Sequence, residues 1–558
     1  MARRTEGRLV LRGTLRFLEP FLVAADQPDA GEDSSPARNG NDALIIPGTS
    51  LTGVLRTWCG QYLPGGSNTE EKFFGTVGSD GFDHGSYIRV EDIVVDNASI
   101  ETVDGVGINR VTGAAHEHVK FDRTVVRAGA TAELRVVCEI PSGAAMESER
   151  VMKEVARALD SGLLRIGSGT TKGFGQCTTA TDHSTSSLRL VSQPLDRAGV
   201  ISRLSAPAGT DQGAEVTLPE PGVDPAKTSL TVTFASTSPT FVKSSTNGSV
   251  VDVLPRVDIV SGVPCLVIPG TSLRGVLRSE CERIVRTVLR RNRKSPADDT
   301  NLHGWIEHDT PHTRQVRERL VDIMFGISPE SVSNEIFLSL DATLGRACVT
   351  VPSMYAPLGQ ETSAENWAKI LRAATAKKAE KDSEDERSER ERKLTKLIEK
   401  SGSPLLFTHH VPLDRWTSGT VASLLFTVLE PHVEEWRPVT LVLDENRLDC
   451  IDARNPQTEL TRTMSLTLPA VALLLLALES LHNGSIGLGW GTHRGHGSVR
   501  VASIDICVNG MKVKGLSVHP TATILETLGK HPDGQELLEQ LRVAWTTWLA
   551  NESEGLSE

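Results

Sequence analysis

The chain has 558 residues, 23% of them charged and 39% hydrophobic, which is apolar material for more than one core and too much length for a single ordinary one. Its formal net charge of −12 excludes a protein that coats nucleic acid through bulk charge, while leaving room for a basic groove on an acidic body. Eight cysteines fall singly, with no Cys-x-x-Cys pair and no Cys/His cluster at zinc spacing, so the reading is reduced thiols, no structural zinc and a cytoplasmic location.

The first residues, MARRTEGRLVLRGTL, lack the apolar core of a signal peptide. The alternating stretch RLVLRGTLRF from Arg8 predicts a strand. An acidic loop, AADQPDAGEDSSPARNGNDAL, leads to the turn IIPGTSLTGVLRTW beginning at Ile45. Pro47-Gly48 makes a tight turn and Thr49 or Ser50 suits a helix start. Leu51, Val54, Leu55 and Trp58 then recur at i, i+3, i+4 and i+7 as one apolar helix face. Phe74-Gly75, the strand SYIRVED, the polar stretch VGINRVTG with Arg110, the helix VMKEVARALDSG and the glycine loop IGSGTTKGFG from Ile166 follow.

The series then repeats. SLTVTFAST from Ser229, the loop NGSVVDVLPRVDIVSG and VIPGTSLRGVLRSE from Val267 come first. Phe325-Gly326, IFLSLDA, VPLDRWTSG with Arg415, AVALLLLALESL and LGWGTHRGHG from Leu488 complete it. Between Pro47–Arg56 and Pro269–Arg278 one position differs, Thr52 against Arg274. This is a tandem duplication with diverged loops. Its strand–helix–strands–helix–strand order predicts an α+β fold of two units on a split βαβ, ferredoxin-like sheet. The expected boundaries are a first domain over 1–204, a Pro/Gly/Ala-rich linker over 205–227, a second domain over 228–516 and a C-terminal helical appendix over 517–558. An insertion at about 360–400 carries KKAEKDSEDERSERERKLTKLIEK, whose opposite charges at helical spacing predict a solvated helix, with no apolar face to bury over Lys377–Lys393. AVALLLLAL after Pro469 is far short of the ~20 residues of a membrane span. It reads as a buried helix, and no membrane partner is expected.

Gly53 and Gly275 lie inside the two predicted helices, where glycine costs about 1 kcal/mol relative to alanine. Accepting that cost at both equivalent positions predicts close approach of another backbone. Helix-start N–H groups with Ser50 or Ser272 and Arg56 or Arg278 nearby would seat a phosphate; a packing turn kept by duplication is the alternative. The glycine loops place Lys172 among Gly167, Gly169 and further glycines, and Arg494 among Gly489, Gly491 and theirs. Positive φ at glycine lets N–H groups approach an anion to which the cation adds charge. Neither loop is a P-loop or a dinucleotide fingerprint, because each lies late in its unit, after the second helix. His409, His410, His493 and His496 have no carboxylate or cysteine at matching spacing, so metal ligation is not expected of them. Trp416 and Trp490 suit either base stacking or core plugging.

The Pro-Gly-Thr-Ser-Leu-x-Gly-Val-Leu-Arg turn early in each half, paired with the late Gly-x-Gly-x-x-(Lys/Arg)-Gly-x-Gly loop, resembles the repeat-associated mysterious protein (RAMP) superfamily of RNA-binding CRISPR–Cas subunits. The likeness covers both halves. It is nearest to the backbone subunit of type III effectors, here as two units fused. The resemblance implies tandem modified ferredoxin-like, RRM-type domains with thumb-like insertions. It implies guide CRISPR RNA, target RNA and other CRISPR effector subunits as partners, and cleavage of guide-paired target RNA with a divalent metal, Mg or Mn. It places a catalytic aspartate between the first strand and the Pro-Gly turn. Asp252 matches in the second half; Asp33 is nearest in the first, with Asp26, Asp29 and Asp42 as alternatives. Such acidic loops are usually only solvated. Arg110 and Arg415 correspond to the thumb, and Lys243 enters the Asp252 loop, as phosphate contacts. The implied chemistry is attack of a 2′-hydroxyl on the adjacent phosphorus, with a carboxylate either holding an ion or taking the proton. Two other roles occur in the superfamily: a non-catalytic capping subunit and a guide-processing endoribonuclease. The histidine or tyrosine–lysine set of the latter is not seen near the first helix.

Overall fold

The computed structural model describes the chain apart from residues 1–3, 26–32, 64–65, 77–83, 109–114, 181–185, 206–212, 220–227, 246–247, 249, 261, 290–318, 327–346, 360–361, 377–383, 415, 422–424, 447, 449–464 and 555–558. It forms two compact units, Met1–Val106 with Val119–Asp224, and Gly107–His118 with Pro225–Glu558.

The first half of the chain runs β1 (Thr5–Phe17), α1 (Gly48–Tyr62), β2 (Ile88–Val90), β3 (Ile93–Asp96), β4 (Ile100–Ile108), β5 (Ala115–Val126), β6 (Thr131–Pro141), α2 (Ala145–Asp160) and β7 (Arg189–Pro194). Strand β1 lies between β7 and β6, and β6 also pairs with β2 and β3, all antiparallel. This is the ferredoxin-like order, fourth strand, first, third, second. β4 and β5 pair as a separate ribbon, the thumb. Leu9, Leu11, Leu15 and Phe17 put one face of β1 into the core, where α1 and α2 cover the sheet.

The second unit repeats the plan with β8 (Ser229–Ser236), α3 (Gly270–Val288), β9 (Val349–Thr350), α4 (Ala364–Ala374), α5 (Glu384–Ser401), β10 (Leu405–His410), β11 (Phe426–Pro431), β12 (Val439–Leu443), α6 (Thr467–His482) and β13 (Val499–Val508). The order β9-β12-β8-β13 is again second, third, first, fourth, and β10–β11 is the matching thumb ribbon. Two further helices, α7 (Ile524–Lys530) and α8 (Pro532–Glu554), close the chain. They explain why the second helix of this unit is apolar all round. α2 buries one face through Val151, Met152, Val155 and Leu159. α6 is held between the sheet and α7–α8, so Ala470, Val471, Leu474, Leu475 and Leu478 are all buried.

Four sequence expectations are corrected. The C-terminal helices complete the second core through Leu528, Leu537, Leu541 and Trp548, where an appendix was expected. The charged insertion is a helix, but beyond Lys393 it is not solvated throughout: Leu394 and Ile398 anchor its last turns in that core beside Trp367 and Ile370. Within the linker, Ala214–Val216 pairs with β7 as an edge strand. Finally, the counterpart of SYIRVED is not IFLSLDA, which lies outside the described residues, but the stretch around β9. Asp92 accepts from the Gly48 N–H at 2.8 Å and Ser353 Oγ from the Gly270 N–H at 3.3 Å, which sets the register. No helix among the described residues is long and apolar enough to cross a membrane.

Glycine has two different uses here. A Cβ at Gly275 or Gly53 would meet nothing within 4 Å, so the close backbone approach expected there is not made within the described chain. A Cβ at Gly489 would stand 2.3 Å from the Phe241 carbonyl oxygen, on a backbone with φ of +98°. Gly275→Ala should therefore raise stability by about 0.5–1 kcal/mol. Gly489→Ala should lower it by roughly 1–3 kcal/mol. Denaturation midpoints of the two variants check the contrast.

Candidate functional site

Each glycine loop is strapped to the segment leaving the first strand. Gly167 meets the Leu22 carbonyl as Gly489 meets Phe241, a built Cβ standing 2.3 Å from the oxygen in both. The next amide, of Ser168 or Trp490, donates to that same carbonyl at 2.7 Å. Gly175 and Gly497 donate to Pro20 and Pro239 at 2.8 Å. Between these bonds one 3-10 turn, Thr170–Lys172 or Thr492–Arg494, carries the cation. The left-handed glycines thus serve approach of the chain to itself, and the cation is placed as a consequence. Lys172 is half-buried. Arg494 is exposed and lies 5.5 Å from the centroids of both Phe426 and Trp490, held by cation–π contact.

The same segment is bordered on its other side by the aspartate loop. Ala25 donates to Ser35 at 2.9 Å and Ser244 to Leu254 at 2.8 Å. Ala24 bridges Pro36 as Lys243 bridges Pro255. Counting back from these prolines, Asp33 and Asp252 occupy the same place. Asp33 Oδ2 accepts the Asp122 N–H at 2.8 Å, and Asp252 Oδ2 accepts the Thr427 N–H at 2.8 Å. Asp122 and Thr427 are matching positions on the thumb strands β5 and β11, because Thr124 donates to Ser34 as Leu429 donates to Val253. Both carboxylates are on exposed residues, and each fastens its loop to its thumb. The Thr427 hydroxyl adds a bond to Asp252 Oδ2 at 2.9 Å. The surroundings differ in one cation each. Arg123, its pKa lowered by burial against the pull of Asp33, stacks over Phe121 in the first unit; Val428 replaces it in the second, where Lys243 stands exposed in place of Ala24.

The Pro-Gly turns look inward more than the sequence suggests. Arg278 donates to Glu282 at 3.0 Å, Asp322 at 2.9 Å and the Gly326 carbonyl at 2.6 Å, and Arg56 pairs with Glu70. Arg274, the one residue that differs in the repeated motif, is buried with its guanidinium on the Phe325 carbonyl. Burial, then the Arg278 charge, lowers its pKa to about 10. Both arginines tie the motif to the Phe-Gly pair that follows it. Ser50 and Ser272 remain half-buried at their helix starts. Asp26, Asp29, Arg110 and Arg415 lie outside the described residues, while exposed Trp416 stands on a thumb loop. Trp490 packs on Phe241, ring centroids 5.5 Å apart. Sequence reading missed the anchoring residues Asp122 and Thr427, which have no local signature, and it missed Glu430, which brings His410 and His496 together.

A family model of the RAMP superfamily matches residues 14–178 and 233–500. The chain belongs to the RAMP superfamily, in tandem form, and this membership points to a CRISPR-associated RNA-binding subunit. No curated protein matches the chain.

Removing the Asp252 side chain strands a buried amide, since Thr427 is fully buried. Asp252→Ala should cost about 1–3 kcal/mol. Asp252→Asn keeps an acceptor oxygen and should cost less than half of that. Urea denaturation of both variants measures the difference.

Proposed function

We propose that the chain is the two-unit backbone subunit of a type III CRISPR effector, gripping guide RNA and cutting paired target RNA at one site per unit. The observation that carries this reading is the matched pair of exposed aspartates, Asp33 and Asp252, each hung by one oxygen from its thumb strand. A carboxylate anchored in this way is held in place at the junction of thumb and sheet. A thumb that splays the RNA there would permit the in-line geometry that an A-form duplex forbids.

In the proposed step the target 2′-oxygen forms a bond to the adjacent phosphorus and the P–O5′ bond breaks. The products are a 2′,3′-cyclic phosphate and a 5′-hydroxyl, which gains a proton as the 2′-hydroxyl loses one. The aspartate assists departure of that 2′ proton, and Lys243, Lys172 and Arg494 hold phosphates along the backbone. A single carboxylate with one oxygen already engaged suits an ion held mostly by RNA phosphates. Asp252 and Asp33 would be the protein ligands of Mg or Mn, which would supply neutralisation of the developing charge. Specificity would come from guide–target pairing. The two hydrogen bonds that Asp252 Oδ2 accepts from the Thr427 N–H and hydroxyl equally suit a structural strut, and that favours the capping-subunit alternative if cutting is absent.

Lys172→Ala with Arg494→Ala should weaken guide retention alike for every spacer sequence, because these groups meet phosphate and not base edges. Filter binding with two unrelated guides tests this; loss confined to one guide counts against it.

Within the assembled complex, Asp252→Asn should abolish one cleavage product and Asp33→Asn a second, displaced one, each by at least ~10²-fold in rate. Target affinity should be nearly unchanged. End-sequencing of the cut target reads this out. Products intact in both variants would make the chain a scaffold.

A further inference from the structure

Three side chains far apart in sequence converge at the base of the second thumb. Glu430 lies on β11, His410 ends β10 and His496 sits between the last two glycines of the loop Leu488–Gly497. His410 Nε2 stands 3.0 Å from Glu430 Oε1, and His496 Nε2 stands 3.4 Å from the same oxygen. A cation bound tetrahedrally at ~2.0–2.1 Å from each of three ligands separates them by ~3.3 Å. The two measured separations bracket that value, and all three candidate ligand atoms lie within 4.8 Å of one another. Glu430 and His496 are 7% and 8% exposed, whereas the His410 side chain keeps 30% exposure, so the cluster is closed below and open on one side. Among the described residues it is the one grouping of three His, Cys, Asp or Glu side chains close enough to share an ion.

Two further observations set this cluster apart from core packing. His496 is held with its Nε2 toward Glu430 while its other ring nitrogen, Nδ1, is buried beside Gly491 without a hydrogen-bond partner, and an unmet buried polar atom costs about 1–3 kcal/mol, a cost that apolar packing would not carry. The first unit avoids that cost. By the shared hydrogen bonds of the two thumbs and glycine loops, Val125 stands where Glu430 stands and Phe174 where His496 stands. The fold accordingly needs no polar group at either place. A carboxylate and an imidazole stand in one copy only, at the same point, facing each other.

We propose that His410, Glu430 and His496 form a site for a borderline divalent cation, Zn2+ foremost, which clamps the thumb ribbon β10–β11 to the glycine loop. Two imidazoles and one carboxylate suit zinc better than Mg2+, which prefers oxygen ligands only. His432 Nε2, 3.9 Å from Glu430 Oε2, and Thr408 Oγ1, 2.8 Å from Oε1, are placed to orient the carboxylate from outside. The clamp joins the strand that carries Thr427, and so the anchor of Asp252, to the loop that carries Arg494. It does not depend on the RNA reading, because the ligands and their test involve no RNA.

The test uses the full chain, stripped with chelator and dialysed, titrated with ZnCl2 against a chromophoric competitor and separately with CoCl2. The wild type should take up one equivalent of zinc and give the visible absorption of tetrahedral cobalt. His496→Phe, which installs the first unit's residue, and His410→Ala, at the more open position, should each weaken zinc by at least ~10–100-fold, a range known even for outer-sphere losses. His493→Ala, on the same loop and exposed, should bind as the wild type does. Circular dichroism confirms folding, and His410→Ala decides the matter if His496→Phe is unfolded. No zinc uptake by the wild type, or equal affinity in His410→Ala, overturns the site.

Discussion

The short segment that leaves each first strand, Pro20–Ala25 or Pro239–Ser244, is held from both sides by backbone hydrogen bonds, and much of the rest follows from that. The glycine loop donates from one side, to Leu22 or Phe241, and the aspartate loop pairs from the other. The approach is so close that a side chain at Gly167 or Gly489 would collide with a carbonyl, and only glycine tolerates both the distance and the positive φ. Once this segment is pinned, the cation of the glycine loop, the carboxylate of the aspartate loop and the start of the Pro-Gly helix have fixed relations to one another.

Backbone bonds carry no side-chain identity, and the two copies show what that permits. The frame is the same almost bond for bond, while the groups hung on it have been exchanged. Thr52 bonds its own turn at Gly48, whereas Arg274 reaches across to Phe325. Ala24 has become Lys243, Arg123 corresponds to Val428, and Val125 with Phe174 corresponds to Glu430 with His496. The conserved shape and the divergent chemistry are separate layers of the same site. A shared fold therefore does not imply that the two units have one activity in common.

The larger second core has a similar logic. A helix as apolar as AVALLLLALESL is unstable unless covered on every side, and α7 and α8 provide the missing cover. The charged helix α5 joins the same core by its last turns, through Leu394 and Ile398. Three apolar residues after a long polar run, Leu394, Leu397 and Ile398, anchor a helix that looks solvated along most of its length.

What was legible in the sequence was whatever is local or repeated. The duplication, the α+β order, the Pro-Gly helix start and the two glycine loops all rest on short-range spacing, and the duplicate supplied its own control. Asp252 was legible through the resemblance of its loop to the family pattern, and Asp33 only as the nearest of several aspartates; their equivalence, three residues before Pro255 and Pro36, follows from the bridges of those prolines to Lys243 and Ala24. The sequence could not disclose that Gly53 and Gly275 face open space, that Arg278 is engaged by Asp322 and Gly326, or that Asp122 and Thr427 anchor the aspartates. Each of those facts depends on which strands lie side by side. The same holds for His410, Glu430 and His496, whose spacing along the chain has no metal-ligand pattern. Local spacing determines elements; convergence of side chains is decided by the sheet and the thumb, because only tertiary packing brings remote residues within 3 or 4 Å of each other.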